Sequence, residues 1–371
     1  MKAHIVTCDS KDRLREFVEN GYVGVRPIPP KKLTERGLLS KLGTNWDIVA
    51  DLKRVKPGDL IFLHADRSLY GLFAATSCFG EESDTPRVYK SKNLNIRYWT
   101  ENKEYWPSDI ENAYDQVRES TELCWKAGIQ SVEGRYFDKP LDVMDIFRRA
   151  SVGEIQTIPV RFWYDGEKTV KPMLQSEKEK IAELLTSFNS GIPSTRSVQP
   201  YDTRDLREIT IDLHSYRNKV SCEKILEAYI MENITSDEGT PQAREETRKL
   251  VGDVDFFANT VYTYYTNYID VFCQRKVDGE NENMVVELKR GAPDPFPKTL
   301  EQVTDYASWI RLYMERGAHA GEKVVSIIVA RTINKSYMNW KKKNPQANVR
   351  LFTYDFAEDF SYIKFEELAN R

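Results

Sequence analysis

The sequence is poor in the residues that build disulfide frameworks and zinc sites. Its 371 residues include five cysteines and four histidines. The cysteines are scattered, at positions 8, 78, 124, 222 and 273, and no two of them form a Cys-x-x-Cys pair. The histidines, at positions 4, 64, 214 and 319, do not cluster with the cysteines. We therefore expect neither a disulfide framework nor a zinc site, and we expect reduced thiols in a reducing compartment.

Long apolar runs are also missing. No stretch approaches the roughly 20 consecutive apolar residues that a membrane-spanning helix needs. The first residues, Met1–Asp9, turn polar too soon to be a signal peptide. These absences predict a soluble, cytoplasmic protein without a membrane partner.

The chain also lacks a strong net charge. The chain has 54 basic and 57 acidic residues, which gives a net charge of −3. A nucleic-acid enzyme is often basic overall. Catalytic carboxylates can cancel basic side chains in the total, however, so local basic patches remain compatible with nucleic-acid binding.

The length suits two domains, each with its own core. Residues 187–203 are rich in Ser, Pro, Gly and Thr, which is typical of a linker. We therefore predict an N-terminal domain at 1–188, a linker at 189–204 and a C-terminal domain at 205–371.

The stretch from Tyr268 to Arg290 carries the strongest chemical signal. Asp270 begins one β-rich run and Glu287 and Lys289 end the next, with Gly279 between them among polar residues. Two such runs joined by turn residues predict a hairpin. Residues two apart project to the same face of a strand, so Glu287 and Lys289 share a face, and antiparallel pairing can bring Asp270 opposite them.

Two carboxylates and one ammonium at one spot suit metal-dependent phosphodiester hydrolysis. Mg²⁺ prefers oxygen ligands, keeps several waters and binds substrate phosphate, and Mn²⁺ can substitute for it. The metal polarises the phosphate and lowers the pKa of a bound water, while the lysine can orient that water or offset developing charge. We predict that Asp270 and Glu287 bind Mg²⁺ and that both act with Lys289 in catalysis.

These residues resemble a known family. Ile269–Asp270, the strand Val285–Arg290, and a following helix with Gln302 and Tyr306–Trp309 are similar to the PD-(D/E)xK nucleases, in particular the branch of the NucS-type endonucleases. The resemblance covers roughly the last 150 residues. It implies a restriction-endonuclease-like mixed central sheet flanked by helices.

The resemblance also implies two further site residues. An early helix donates a glutamate to the metal in these nucleases, and Glu223 fits that pattern, with Glu227 one turn later as the alternative. Gln302 is the matching helix glutamine, which could hydrogen-bond the nucleophilic water or a base. Either glutamate could equally be a solvated helix residue, and Gln302 a surface amide.

The segment from Phe256 to Tyr268 is rich in aromatic residues, including Tyr262, Tyr264 and Tyr265. Aromatic faces can stack on nucleobases. The same alternation is typical of a sheet interior, and we favour the interior.

The N-terminal part resembles a second family. A strand–helix pattern leads to Tyr22–Arg26, and Lys56–Asp59 is a compact turn before two further strands. This order is similar to the EVE and YTH branch of the PUA-like β-barrels, although Tyr22 stands where a tryptophan is usual in the motif. By this resemblance a modified base would be bound by aromatic and basic side chains, for which the candidates are Tyr22, Arg26, Trp46 and Trp99.

Together these features predict an α/β protein, α+β overall, with a PUA-like β-barrel and a nuclease domain. Such a protein resembles the modification-dependent restriction endonucleases, which implies a Mg²⁺-dependent DNA endonuclease. Double-strand cutting would need a homodimer, since one such site cuts one strand. A structure-specific repair nuclease on unmodified DNA and a non-catalytic nucleic-acid binder are alternative functions, and the sequence leaves RNA open as a substrate.

Overall fold

The computed structural model describes residues 1–25, 48–82, 125–132, 138–155, 170–192, 198–209, 211, 213, 222–234, 239–263, 267–314 and 322–368. These residues form a mixed α/β structure with two sheets, which confirms the predicted class. No helix in these ranges has the length and apolar character needed to cross a membrane. The base-pocket candidates Arg26, Trp46 and Trp99 lie outside the described residues.

The first sheet is built from short strands of the N-terminal part. Its strands are β1 (Ala3–Thr7), β2 (Tyr22–Val25), β3 (Leu60–Ala65), β4 (Ser68–Ala75), β5 (Gly80–Glu82), β6 (Trp125–Ser131), β7 (Leu141–Asp142), β8 (Val170–Pro172) and β9 (Leu206–Glu208). The order is β8-β1-β3-β4-β6-β5-β9, with β2 paired to β6 and β7 paired to β4. Within the described part of this first sheet, β1 and β3 are the only pair that runs in parallel. Because β6 pairs with β2, β4 and β5, the sheet curls on itself.

Within the described residues, this sheet is accompanied by the helices α1 (Lys11–Asn20), α2 (Val143–Ser151) and α3 (Gln175–Phe188). The first follows local sequence signals. The Ser10 side chain accepts a hydrogen bond from the backbone N–H of Arg13, and Gly21 ends the helix in the left-handed region at φ 68°. A further helical segment occupies residues 48–53.

The Lys56–Asp59 turn is fixed by a buried carboxylate. Asp59 accepts hydrogen bonds from the backbone N–H groups of Lys2 and Lys56, at 2.9 and 3.1 Å, and from Nε2 of His4, at 3.1 Å. Burial lowers the pKa of His4, so the neutral ring donates to Asp59. The turn is thereby tied to the first strand.

The second sheet has the strand order β10-β11-β12-β13-β14-β15. Its strands are β10 (Val254–Tyr262), β11 (Tyr268–Val277), β12 (Glu280–Lys289), β13 (Lys323–Ala330), β14 (Val349–Phe356) and β15 (Ile363–Glu367). The central strands β12, β13 and β14 are parallel, and the outer pairs are antiparallel. This is the mixed sheet that the sequence predicts.

Helices cover both faces of the second sheet. They are α4 (Cys222–Asn233), α5 (Pro241–Val251), α6 (Lys298–Met314) and α7 (Lys335–Lys343). On one face, α4 packs against β12, whose Val286 and Leu288 are buried with residues of that helix, and α5 packs against α4 and β15. On the other face, α6 packs against Val285 through residues such as Ala307. Glu287 and Lys289 alternate along β12 with Val286 and Leu288, so their side chains project toward the α6 side.

The two sheets touch through specific contacts. Lys2 Nζ donates hydrogen bonds to the backbone oxygens of Val254 and Asp255, at 3.2 and 2.7 Å. Lys53 forms an ion pair with Glu232 at 2.6 Å. Leu206–Glu208, which the prediction assigned to the second domain, pairs with β5 of the first sheet. The boundaries at 1–188, 189–204 and 205–371 stay a prediction.

Candidate active site

The hairpin of β11 and β12 carries the candidate site, and it forms where the sequence predicts one. The two strands run antiparallel from Val271 opposite Val286 to Val277 opposite Glu280. Asp278 and Gly279 form the turn, with φ of 53° and 86°. Positive φ at both central residues is the requirement of a tight two-residue hairpin turn, which Asp-Gly meets.

The polar segment before and after this turn is strand, although its composition is typical of turns. Arg275 Nε donates to Glu282 Oε1 at 2.9 Å, and Gln274 Nε2 donates to Asn283 Oδ1 at 2.8 Å. These cross-strand pairs stabilise polar residues on a paired surface. The segment 275–283 is therefore strand outside the two turn residues.

Asp270 and Glu287 meet where the two strands begin to separate. The paired register ends at Val271 and Val286. Beyond it, the backbone N–H of Leu288 donates to Oδ2 of Asp270, at 2.8 Å, instead of to a strand carbonyl. Asp270 is 6% exposed and Glu287 is 3% exposed. Both carboxylates are therefore buried side by side at one end of the hairpin.

Burial raises the pKa values of both acids. Burial raises the pKa of Asp270 well above its ordinary value, and the neighbouring charge of Glu287 raises it further. Burial also raises the pKa of Glu287, although Lys289 opposes the shift. Buried carboxylates with raised pKa values in one place are typical of functional sites.

Lys289 completes the predicted trio. Its Nζ donates to Glu287 Oε1 at 2.7 Å and lies 3.9 Å from Asp294 Oδ2. Burial lowers the pKa of Lys289, but the charge of Glu287 and this hydrogen bond outweigh burial and raise the pKa overall. Lys289 is therefore an ammonium at neutral pH, held against one oxygen of Glu287.

The donor set fits Mg²⁺. Oε2 of Glu287 is buried and has no hydrogen-bond partner among the described residues. An unsatisfied carboxylate oxygen beside a second carboxylate is a suitable ligand pair for a hard cation. Nowhere in the described ranges do three or more His, Cys, Asp or Glu side chains come together to hold a metal. Mg²⁺ needs only one or two carboxylates, because waters and substrate phosphate supply the remaining ligands.

Glu223 and Glu227 lie beside this pair in different ways. Glu223 Oε1 accepts a hydrogen bond from the backbone N–H of Arg290 at 3.2 Å, and its charge raises the pKa of Glu287. Glu227 is fully buried and accepts hydrogen bonds from Lys224, at 2.7 Å, and from Thr260, also at 2.7 Å. The structure thus places Glu223 next to the pair without forming a three-carboxylate cluster, and its predicted metal role stays a prediction.

Gln302 contacts a side chain that the prediction did not include among the site residues. Its Nε2 donates to the hydroxyl oxygen of Tyr306 at 2.8 Å. Burial raises the pKa of Tyr306 to about 12, and the charges of Glu287 and Asp270 add to that rise. The hydroxyl therefore lies near the carboxylates. The i, i+4 spacing of Gln302 and Tyr306 on a helix was the signal that could have identified it.

Lys224 is the other residue that the sequence interpretation missed. Its charge lowers the pKa values of both Asp270 and Glu287. In the sequence it is one lysine on an amphipathic helix, so only the packing of α4 against the sheet reveals its position. The site therefore contains two lysines.

Tyr22 is the one base-pocket candidate within the described residues. It is 7% exposed, and its hydroxyl donates to Glu16 Oε1. Its ring packs against Phe17 and Tyr201, with centroid distances of 5.5 and 5.1 Å, and Lys126 Nζ lies 4.5 Å from the ring centroid. This placement favours packing, and its predicted role in base binding stays a prediction.

Comparisons with known proteins give little further information. No family model matches the chain, and no curated protein matches it significantly. Among solved structures, the chain is similar to human THYN1 in complex with DNA containing 5-methylcytosine. The sequences are 12% identical, and the match covers 50% of this chain and 98% of the THYN1 chain at a TM-score of 0.26. A TM-score this low does not establish a shared fold.

Proposed function

We propose that this protein is a Mg²⁺-dependent endonuclease that hydrolyses phosphodiester bonds in DNA. One observation carries the proposal. Asp270, Glu287 and Lys289 converge at the separating end of a hairpin, and the buried oxygen Oε2 of Glu287 lacks a hydrogen-bond partner within the described part of the chain. A purely structural carboxylate pair would be expected to have its buried oxygens satisfied.

Each residue has a role in this proposal. Asp270 and Glu287 hold the cation, which polarises the phosphate and lowers the pKa of a coordinated water when it is bound. The Leu288 N–H group fixes the orientation of Asp270. Lys289 keeps its positive charge near the reacting phosphate, where it offsets negative charge in the transition state.

Gln302 and Tyr306 act as a positioning pair. The side-chain N–H group of Gln302 donates a hydrogen bond to the hydroxyl oxygen of Tyr306. The hydroxyl keeps its proton because burial raises its pKa to about 12. It remains a hydrogen-bond donor near the carboxylates at neutral pH.

The N-terminal sheet directs the nuclease to modified bases in this proposal. That part rests on the sequence resemblance to EVE and YTH domains. Extraction of a base from a duplex costs a few kcal/mol of stacking free energy, and contacts in an aromatic pocket can offset this cost. A homodimer would then supply one site for each strand.

The test is cleavage of a DNA panel by the wild type and by an Asp270→Ala, Lys289→Ala double variant. The panel contains unmodified duplex, duplexes with 5-methylcytosine, 5-hydroxymethylcytosine or N6-methyladenine, and branched or mismatched duplexes, each with Mg²⁺, Mn²⁺ or EDTA. An RNA duplex of the same sequence completes it.

We expect metal-dependent cutting of DNA by the wild type and none by the double variant. A preference for one modified duplex supports base-directed cleavage, whereas a preference for branched or mismatched unmodified DNA favours a repair nuclease. If the wild type binds DNA but cuts no member of the panel, the protein is a non-catalytic binder and the proposal fails.

A further inference from the structure

Lys224 is held in one position by buried partners. Its Nζ donates to Glu227 Oε2 at 2.7 Å and to Thr260 Oγ1 at 3.1 Å. Thr260 in turn donates to Glu227 Oε1 at 2.7 Å. The three side chains form a closed set of hydrogen bonds, so the lysine cannot swing freely into solvent.

The backbone at Thr260, one member of this set, is strained. Its φ is 45°, in the left-handed region that a β-branched residue rarely adopts. The neighbouring pairs Asn259 with Val271 and Val261 with Ile269 place Thr260 across from Asp270. Such strain is a recurrent feature of functional sites. Here it lies directly beside the candidate metal ligand.

Tyr268 lies at the edge of the same site and is exposed. Its ring centroid is 4.5 Å from Lys224 Nζ, and the Tyr262 ring meets it edge-on at 6.4 Å. Tyr268 is 39% exposed, whereas Ile269 and Asp270 are buried. Lys224 connects this ring to the position opposite Asp270, because its Nζ also donates to Thr260 Oγ1. An aromatic surface therefore borders the carboxylates.

We infer that Lys224 and Tyr268 form a nucleotide subsite beside the scissile phosphate, and that, among DNAs of the same sequence and modification, one with an unpaired nucleotide there is preferred to the fully paired duplex. This inference rests on the proposed function. A base presents its face to an aromatic ring only when it has left the duplex stack. Lys224 supplies the positive charge for an adjacent phosphate.

The charges of the site favour recognition through a base. Among the described residues, five carboxylates, Asp270, Glu287, Glu223, Glu227 and Asp294, lie around the two ammonium groups of Lys224 and Lys289. Further phosphate contacts in such surroundings gain little attraction, because the carboxylates repel phosphate. A neutral base stacked on Tyr268 adds binding free energy without adding negative charge.

Equilibrium binding in EDTA tests the subsite separately from cleavage. Fluorescence anisotropy would compare a fully paired duplex, the same duplex with three unpaired central nucleotides, and single-stranded DNA and RNA of that sequence. The proteins are the full-length wild type, Tyr268→Ala, Tyr268→Phe and the control Tyr362→Ala. Tyr362 is another tyrosine beside a lysine, with Lys364 Nζ 6.0 Å from its ring centroid. Thermal unfolding checks that each variant is folded.

We expect the wild type to bind the partly unpaired duplex about tenfold more tightly than the paired one. Tyr268→Ala should lose this preference, whereas Tyr268→Phe and Tyr362→Ala should keep it. With Mg²⁺, the wild type should cut within a few nucleotides of the unpaired segment.

The subsite would be overturned if the wild type bound the paired and the partly unpaired duplexes with equal affinity. It would also be overturned if Tyr268→Ala and Tyr362→Ala lost the preference for the partly unpaired duplex to the same extent. Tighter binding of RNA than of DNA would overturn its assignment to DNA. Cleavage of paired and unpaired DNA at equal rates, unchanged in Tyr268→Ala, would overturn the subsite and leave the nuclease standing. A Tyr268-dependent preference without any cleavage would instead overturn the nuclease and leave the subsite standing.

Discussion

Asp270 Oδ2 accepts a hydrogen bond from the backbone N–H of Leu288 at 2.8 Å, across the point where β11 and β12 separate. A carboxylate thus replaces the strand carbonyl that would otherwise pair with this amide. The arrangement holds Asp270 beside Glu287 although burial and mutual repulsion both disfavour its charge. Such an arrangement lowers stability, which is expected where a site is built for binding a cation.

Removing the charge of Asp270 should therefore stabilise the fold. Asp270→Asn keeps an oxygen that can accept from Leu288 and removes the repulsion with Glu287. The raised pKa means that the wild type loses stability as pH rises from the unfolded-state pKa, about 3.9, toward the folded-state pKa. We expect the variant to be more stable by about 1–2 kcal/mol near pH 8 in EDTA, with a smaller difference near pH 4.

Urea unfolding at the two pH values measures this gain, and Asp294→Asn is the control. Asp294 is also close to Lys289, but its side chain is 36% exposed. A loss of stability in Asp270→Asn near pH 8 would show that Asp270 has a structural role.

Mg²⁺ binding should become tighter as pH rises. The raised pKa values of Asp270 and Glu287 mean that protons compete with the cation for both carboxylates. Calorimetric titration in two buffers of different ionisation enthalpy should detect proton release on binding. At Mg²⁺ concentrations about 100 times Kd, the cation should stabilise the fold by about 2.7 kcal/mol. In Glu287→Gln, both the proton release and the stabilisation by Mg²⁺ should be lost. Mg²⁺ binding without proton release, with the same affinity in Glu287→Gln as in the wild type, would contradict the prediction.

The buried His4–Asp59 pair should make the protein sensitive to acid. Burial lowers the pKa of His4, so the folded state loses stability as pH falls below the unfolded-state value of about 6.5. The pKa of Asp59 is also lowered: burial opposes this shift, but the hydrogen bonds from His4, Lys2 and Lys56 outweigh it. The stability that Asp59 contributes is therefore lost as pH falls through its folded-state pKa.

Asp59→Asn should cost about 2–3 kcal/mol near neutral pH, because the amide cannot accept all three hydrogen bonds. The cost should shrink only below about pH 3.9, where Asp59 of the wild type begins to bind a proton. Thermal unfolding between about pH 2 and pH 8 measures the difference. The control is Asp66→Asn, since Asp66 is 58% exposed. A cost for Asp59→Asn that does not change with pH would contradict the assignment.

Gln302 and Tyr306 should behave as one unit in catalysis. The Gln302 amide donates to the Tyr306 hydroxyl, so removing either partner removes the same interaction. In a double-mutant cycle with Gln302→Ala and Tyr306→Phe, we expect the double variant to cleave DNA about as slowly as the slower single variant. Thr304→Ala, a change on the same helix, is the control. Fully additive losses would mean that the two residues act independently.

The main features of the site could be predicted from the sequence because they are local. Alternation along β12 places Glu287 and Lys289 on one face, and Asp278–Gly279 defines the turn, so the register that brings Asp270 near them follows from the hairpin. The mixed sheet with helices on both faces was expected from the family resemblance of the C-terminal part.

The missed features depend on contacts between distant segments. Lys224 belongs to the site because α4 packs beside β10, and nothing in its own helix indicates that contact. Residues 275–283 look like a loop by composition, and only the cross-strand pairs of Arg275 and Gln274 make them strand. The pairing of Leu206–Glu208 with Gly80–Glu82 joins residues more than a hundred positions apart, which composition alone does not reveal.

The most direct test of the catalytic centre is the cleavage rate of Lys289→Ala. Single-turnover cleavage of an end-labelled DNA with Mg²⁺ would compare the wild type, Lys289→Ala and the control Lys298→Ala. Lys298 is a nearby lysine whose side chain is 73% exposed. We expect Lys289→Ala to slow cleavage by about 10²-fold or more and Lys298→Ala to change it by less than about threefold. A folded Lys289→Ala protein that cuts as fast as the wild type would contradict the assignment of Asp270, Glu287 and Lys289 as the catalytic centre.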